Sequence, residues 1–346
     1  MALRHPFRAA MLSLGCASIC VLAGCTPIDE TRTQVFGDLH PPQLQDLAME
    51  GPHLIVARFN ETTSISPESV HLTPDLGELS VTTEGQEVHL RTDRPATVGA
   101  VYAVQARATD ESGNSLTFML TVTGFNPDPA TLRINEFTPQ GSGNNPDMVE
   151  LLVTEGGNLG GAVFYAGSPG ENDGSLTFPA MEVATGDFVL VHLKPEQTAE
   201  EVDETTDPGA SGGRNAHPEA WDFWMAEPTG LSGNNGAVSV YAYQDGPLLD
   251  AVIYSNRSHD PEARYGSFGT ASAEEMIREV VADGGWKIAG DTARPEDAVD
   301  PEDSTSTRSI SRSSTGVDTD HRRDWHITPT SGSTFGEPNT DERYEG

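Results

Sequence analysis

The chain has 346 residues and a formal charge of −33, from 53 acidic against 20 basic side chains. That balance excludes a general affinity for the phosphate backbone of nucleic acid. With 35 glycines, 24 prolines and 36% hydrophobic residues the chain is loop-rich rather than helical, and its length suits two domains.

Arg4 and Arg8 open the chain, and Ala9 to Ala23 follow as an uncharged, mostly apolar run. A membrane-spanning helix needs about 20 apolar residues, so this run has the layout of an export signal instead. It closes on Leu22-Ala23-Gly24-Cys25. That ending resembles a bacterial lipobox, and the resemblance implies removal of residues 1–24 and acylation of the Cys25 sulfur. The competing reading is an ordinary secretory signal with a chance cysteine near its end. All three cysteines (Cys16, Cys20 and Cys25) lie in this stretch. Everything after Cys25 is therefore without disulfides, thiolate metal sites or cysteine nucleophiles. Several acyl chains, at about 0.8 kcal/mol per buried methylene, would make membrane lipid a firm partner. The expected location is the cell envelope, at the outer membrane or cell surface rather than the inner membrane, because Thr26 is not an aspartate.

Residues 25–40 read as a polar spacer. From Pro41 the pattern becomes short alternating apolar runs between turn signals, at His53–Phe59, Val70–Leu72, Glu78–Val81, Glu87–Leu90, Val101–Arg107 and Leu116–Val122. Alternation at this spacing predicts an antiparallel β-sandwich. Phe59, the segment Ser66-Pro67-Glu68-Ser69-Val70, Tyr102 and Asp110 through Asn114 stand in an order that resembles bacterial Ig-like domains. The resemblance spans residues 41–126 and implies a spacer or adhesive module with no catalytic residues.

Asn126-Pro127-Asp128-Pro129 reads as a stiff linker. Beyond it come Ile134-Asn135-Glu136, Val149-Glu150-Leu151, the Asn235-Gly236 turn, Leu249-Asp250, Asp324-Trp325 and, after Thr334-Phe335-Gly336, Asn339. This order resembles a lamin-tail domain over residues 130–339, an Ig-like sandwich, with Met148 where a tryptophan is usual and Thr334-Phe335-Gly336 where proline-glycine is usual. The predicted fold class is all-β: two Ig-like β-sandwiches in tandem after a lipoprotein signal. Two insertions interrupt the second. Residues 194–222 read as an acidic mobile loop. Residues 255–308 carry one helix, Ser272 to Ala282, with a capping-box spacing from Ser272 to Glu275 and a stop at Asp283-Gly284. Within the same insertion Pro295 to Thr307 has little to bury and reads as disordered.

Four constellations carry possible chemistry. Asp318, Asp320, His321 and Asp324, beside Trp325, could ligate a divalent metal, or lie solvated in a loop whose Asp-Trp belongs to the fold. Glu136 and Glu150 could act as paired carboxylates on a glycosidic bond, or satisfy loop amides at a sandwich rim. The serines from Ser304 to Ser314 with His321 lack a nucleophile elbow and read as loop. Trp221, Phe223 and Trp224 could stack on sugars or anchor an interface if exposed, or form core if buried. Neither Asp318 with Asp320 nor Asp110 with Glu111 has the spacing of a calcium loop, so only diffuse cation attraction is expected. No cofactor is implied. The sequence thus predicts a lipid-anchored, non-catalytic display or binding module at the envelope, with an envelope protein or polysaccharide as partner. The alternatives are a metal-dependent hydrolase or glycosidase on the lamin-tail-like domain, or a purely structural spacer.

Overall fold

A computed structural model describes residues 38–257 and 264–346. Residues 1–24, read above as an export signal, and Cys25 lie outside the described residues, as does most of the stretch read as a spacer.

The first unit contains β1 (Leu44–Gly51), β2 (Leu54–Phe59), β3 (Thr63–Ile65), β4 (His71–Thr73), β5 (Leu79–Glu84), β6 (Glu87–Thr92), β7 (Val101–Asp110) and β8 (Ser115–Thr123). One sheet runs β1-β2-β6-β5; in the other, β7 pairs β3 and β4 along one side and β8 along the other. Inward positions such as Ile55, Phe59, Val88, Leu90, Val104 and Phe118 close one core. Each such side chain contributes about 1.5–3 kcal/mol over leaving it exposed. The Asp110–Asn114 turn has a direct cause. Asp110 Oδ1 accepts the Ser112 and Asn114 amides at 2.9 and 2.8 Å, while Oδ2 accepts Asn114 Nδ2 at 2.8 Å. The Tyr102 hydroxyl accepts the Thr97 amide at 2.8 Å.

The second unit adds β9 (Thr131–Thr138), β10 (Met148–Glu155), β11 (Gly157–Asn158), β12 (Val163–Gly167), β13 (Asn172–Thr177), β14 (Glu182–Val183), β15 (Phe188–His192), β16 (Trp221–Trp224), β17 (Asn235–Tyr241), β18 (Leu248–Ser255), β19 (Ile310–Arg312) and β20 (Trp325–Ile327). A six-stranded sheet, β16-β15-β10-β9-β19-β20, faces a four-stranded sheet, β13-β12-β17-β18, and β11 pairs β14. The chain is thus nearly all β, folded as face-to-face sheets. Phe137, Val149, Leu151, Val191, Val238, Val252 and Tyr254 fill the space between them. Asn126 Nδ2 donates to the Asn158 and Gly160 carbonyls at 2.8 and 3.1 Å, tying the connecting segment to this unit.

The single α-helix among the described residues, α1 (Ala271–Ala282), buries Ala273, Met276, Ile277 and Val280, one face at helical spacing. It packs against β17, every residue of which is buried, since the sheet core covers its other face. The expected Ser272–Glu275 capping box does not form. Thr270 is the N-cap, its hydroxyl accepting the Ala273 amide at 3.2 Å, and Ser272 donates instead to Glu171 at 2.7 Å. Thr270→Ala should therefore cost about 1 kcal/mol in urea unfolding, whereas Ser272→Ala should not reproduce a cap loss.

The mobile loop expected at 194–222 and the disorder expected at 295–307 both give way to ordered, hydrogen-bonded chain. Within the 194–222 insertion Glu204 is buried; its carboxylate accepts the Ser211 amide at 2.7 Å and the Asp222 amide at 2.8 Å. The insertion ends in β16, which lies parallel to β15. In the 295–307 stretch the buried Asp297 accepts the Ala289 and Arg294 amides at 3.0 Å each, and its carbonyl takes Trp286 Nε1 at 2.9 Å. Few apolar residues suffice when buried carboxylates satisfy the loop amides.

Candidate functional site

The strand registers place a row of side chains straight across the six-stranded sheet. Asp222 on β16 lies opposite Leu190 on β15, which lies opposite Glu150 on β10. Glu150 faces Glu136 on β9, Glu136 faces Ser311 on β19, and Ser311 faces His326 on β20. Since a strand alternates its faces, all six share the face turned away from the sheet-to-sheet core. Such a face should be solvated, yet every member is buried. The covering comes from the 194–222 insertion at one end and from the segment after β20 at the other. Phe335 of that segment packs on Met148, Leu190 and Ala220.

Glu136 and Glu150 form the centre of this row. Glu136 accepts the Thr334 amide at 3.0 Å, the Thr334 hydroxyl at 2.6 Å and the Ser309 hydroxyl. Glu150 accepts Asn135 Nδ2 at 2.6 Å and the Gly336 amide at 2.6 Å. Asn339 bonds Asn135 through both side chains and donates to the Arg312 carbonyl at 3.0 Å. Gly336 has φ +81°, and a Cβ there would lie 2.4 Å from the His217 ring, so only glycine brings this amide to Glu150. Burial pushes both carboxyls above the ordinary carboxylate range, Glu150 furthest because Glu136 lies beside it. The pair satisfies loop amides and does not face a substrate cleft.

Asp318 near the C-terminus and Asp250 on β18 converge on Arg312, which no local signal in the sequence marks. Arg312 is the largest fully buried side chain. Its Nε donates to the Ile134 carbonyl at 2.6 Å, Nη1 to Asp318 at 2.7 Å and Nη2 to both oxygens of Asp250 at 3.1 and 2.8 Å. Its guanidinium carbon sits 4.5 Å from the Trp325 ring centroid. Asp250 also accepts the Ile134 amide at 2.7 Å; burial pushes its carboxyl up to about 7, against the pull of Arg312. Asp324 is turned to the Thr319 amide and hydroxyl at 2.7 and 2.8 Å, and His321 Nδ1 to the Arg323 amide at 3.1 Å. Asp250, Asp318 and Asp320 do cluster, but the cation already among them is Arg312. Of the metal candidates only Asp318 joins Asp250 in hydrogen-bonding Arg312; Asp320 pairs with Lys287 Nζ at 3.1 Å, and Trp325 lends its ring to the guanidinium.

The aromatic set does not make a platform. Phe223 points into the core, edge-on to Phe178 at 5.1 Å, and Trp221 is half-buried with Nε1 donating to Asp187 at 3.1 Å. Trp224 lies on the opposite face of β16, buried and stacked on His192 at 3.8 Å between centroids. His192 Nε2 in turn lies 2.6 Å from Asp222. Alternation splits the three between two faces, so of the two readings of this set the structure favours the buried one, core and covered face, over the speculative binding surface. No serine between Ser304 and Ser314 meets His321: Ser304 bonds the Pro301 carbonyl, Ser309 bonds Glu136 and Thr328, and Ser314 bonds Asp341.

Residues 130–327 match a family model described as "TP_1001_2nd: protein second domain". An uncharacterized protein of Treponema pallidum (strain Nichols) is 31% identical over 192 residues, 55% of this chain and 48% of that protein. The chain thus spans about half the length of this curated relative. Among solved structures, a DUF4876 family protein from Bacteroides thetaiotaomicron is 12% identical with a TM-score of 0.29, over 78% of this chain and 90% of that one. The N-terminal part of the bacterial S-layer protein SbsC is 12% identical with a TM-score of 0.23, over 62% of this chain and 41% of that one.

Proposed function

We propose, for a chain that belongs to the TP_1001 second-domain family, a non-catalytic display or binding module of the bacterial envelope, held to membrane lipid through Cys25. The observation that carries the non-catalytic half is the use of Glu136, Glu150, Asp250 and Arg312. Their polar atoms are consumed by internal hydrogen bonds, whereas a catalytic acid–base pair must face a pocket that admits substrate. Both sandwiches then serve as scaffolds, an Ig-like unit at 41–126 and a lamin-tail-like unit at 130–339. Loops at the sandwich ends are the contact surfaces for an envelope protein or polysaccharide. What supports the anchor is the charge, length and closing Leu22-Ala23-Gly24-Cys25 of the leading segment. The outer membrane or cell surface is the favoured location.

Detergent phase partitioning tests the anchor. The wild-type chain should enter the detergent phase and show a lipidated N-terminal Cys25 by mass spectrometry, while Cys25→Ser should move to the aqueous phase. An unmodified N-terminus beginning elsewhere would defeat this reading.

A further inference from the structure

We propose that the free edge of β8 is a self-association surface, through which two copies of this chain pair antiparallel, β8 against β8. The proposal goes beyond the display reading and does not depend on the lipid anchor.

Three observations meet on this strand. The first is the open edge. Among the described residues, the main chain of β8 pairs with β7 alone; a groove of about 860 Å³ beside its C-terminal half is lined by Leu120 to Thr123, by β1 and by Tyr243 to Asp245 of the second unit, and Ser115 to Met119 do not line it. The second is composition. β8 reads Ser-Leu-Thr-Phe-Met-Leu-Thr-Val-Thr, with no charge, proline or glycine over nine residues, in a chain that is 21% charged. Exposed edges are ordinarily protected by charged side chains, proline or bulges, and β8 has none of these. The third is uncovered apolar surface. Leu120 shares the inward phase of Phe118 and Val122, yet it is 48% exposed, and Met119 on the outer face is 71% exposed.

Charge admits a second copy as the occupant, and the self-complementarity of an antiparallel pairing selects it. Two bodies of formal charge −33 repel wherever carboxylates face each other. The outer face of this sheet carries none: its cross-strand rows run His71–Gln105–Met119 and Thr73–Ala103–Thr121, and its one formally charged residue is Arg107. By contrast the free edge across the groove, β1, carries Asp46 and Glu50. An antiparallel pairing is its own complement about a two-fold axis, so a single strand supplies both halves of the interface. It would join the two sheets edge to edge and leave both carboxylate-free faces on the same side.

The chain from Thr26 onward is free of cysteine, which makes the test clean. Sedimentation equilibrium from low micromolar to near-millimolar concentration should show a monomer–dimer equilibrium that tightens as salt is raised, because screening removes repulsion between the acidic bodies. Met119→Glu should abolish the dimer while leaving the thermal unfolding midpoint unchanged, since the side chain is exposed. Single cysteines placed at Thr117, Met119 and Thr121 should include one that cross-links far faster than Val317→Cys, an exposed control on the second unit. A monomer at every concentration overturns the proposal. So does a dimer that Met119→Glu leaves intact and none of the three cysteines traps. Dimerisation of the chain from Asp38 but not of the chain from Thr26 would assign the edge to residues 26–37 and equally overturn it.

Discussion

Replacing Arg312 by methionine should destabilise the second unit by about 3–5 kcal/mol, the cost of removing one partner from a buried ion pair. Methionine fills much of the volume, so the loss is not a cavity effect. It leaves the Asp250 carboxyl and the Ile134 carbonyl without the 2.8 and 2.6 Å bonds that now satisfy them, in a place water does not reach. Burial then acts alone on Asp250 and favours its neutral form. A protonated Asp250 is easier to reach at low pH, so the loss should be smaller at about pH 5 than at about pH 8. The measurement is a urea midpoint at both pH values with the slope unchanged. A variant within about 1 kcal/mol of wild type at about pH 8 would show that Arg312 is not the keystone its contacts describe.

How far the sequence foretold this hub depends on the range of each signal. Alternation is local, and it located most strands of both sheets, including Val101–Asp110 and Leu248–Ser255. It missed β1, where bulges at Leu44/Asp46 and Met49/Gly51 break the period. It also missed β16 and β19, which are four and three residues long and owe their strand geometry to neighbours far away in sequence. The motifs Ile134-Asn135-Glu136, Val149-Glu150-Leu151, Leu249-Asp250, Asp324-Trp325 and Asn339 are visible in the sequence as words. Their meaning was not, because Asn135 meets Asn339 across 204 positions and Arg312 meets Asp250 across 62. Arg312 itself sits in a serine-rich stretch that reads as loop, and only the carboxylates around it gave a local signal. The aromatic run Trp221–Trp224 leaves exposure and burial both open in the sequence for the same reason: alternation sends its members to opposite faces, and which face is covered is a property of the 194–222 insertion and the C-terminal segment.

The stability of the second unit should fall as pH rises from about 5 to about 8, and Glu150→Gln should flatten that dependence. Glu136 and Glu150 lie directly across two strands, both fully buried. Burial raises both carboxyls above the ordinary value, and the neighbouring Glu136 raises Glu150 further. Between the ordinary carboxyl range and the raised folded value the folded state holds protons that the unfolded chain has released. Their contribution is therefore complete below the ordinary range and is lost as pH climbs through the raised value. Repulsion among the remaining surface carboxylates slopes the same way, but it is common to wild type and variant, so the difference between their slopes isolates Glu150. At about pH 5 the variant should be less stable by about 1–3 kcal/mol, since the glutamine amide presents a donor to one of the two N–H groups, from Asn135 and Gly336, that Glu150 now accepts, and this deficit should shrink as pH rises. Urea unfolding of the chain from Thr26 across this pH range measures both effects. A Glu150→Gln slope equal to that of wild type would mean that the pair is ionised throughout, and that the loop from Thr334 to Asn339 compensates two adjacent buried charges by hydrogen bonds alone.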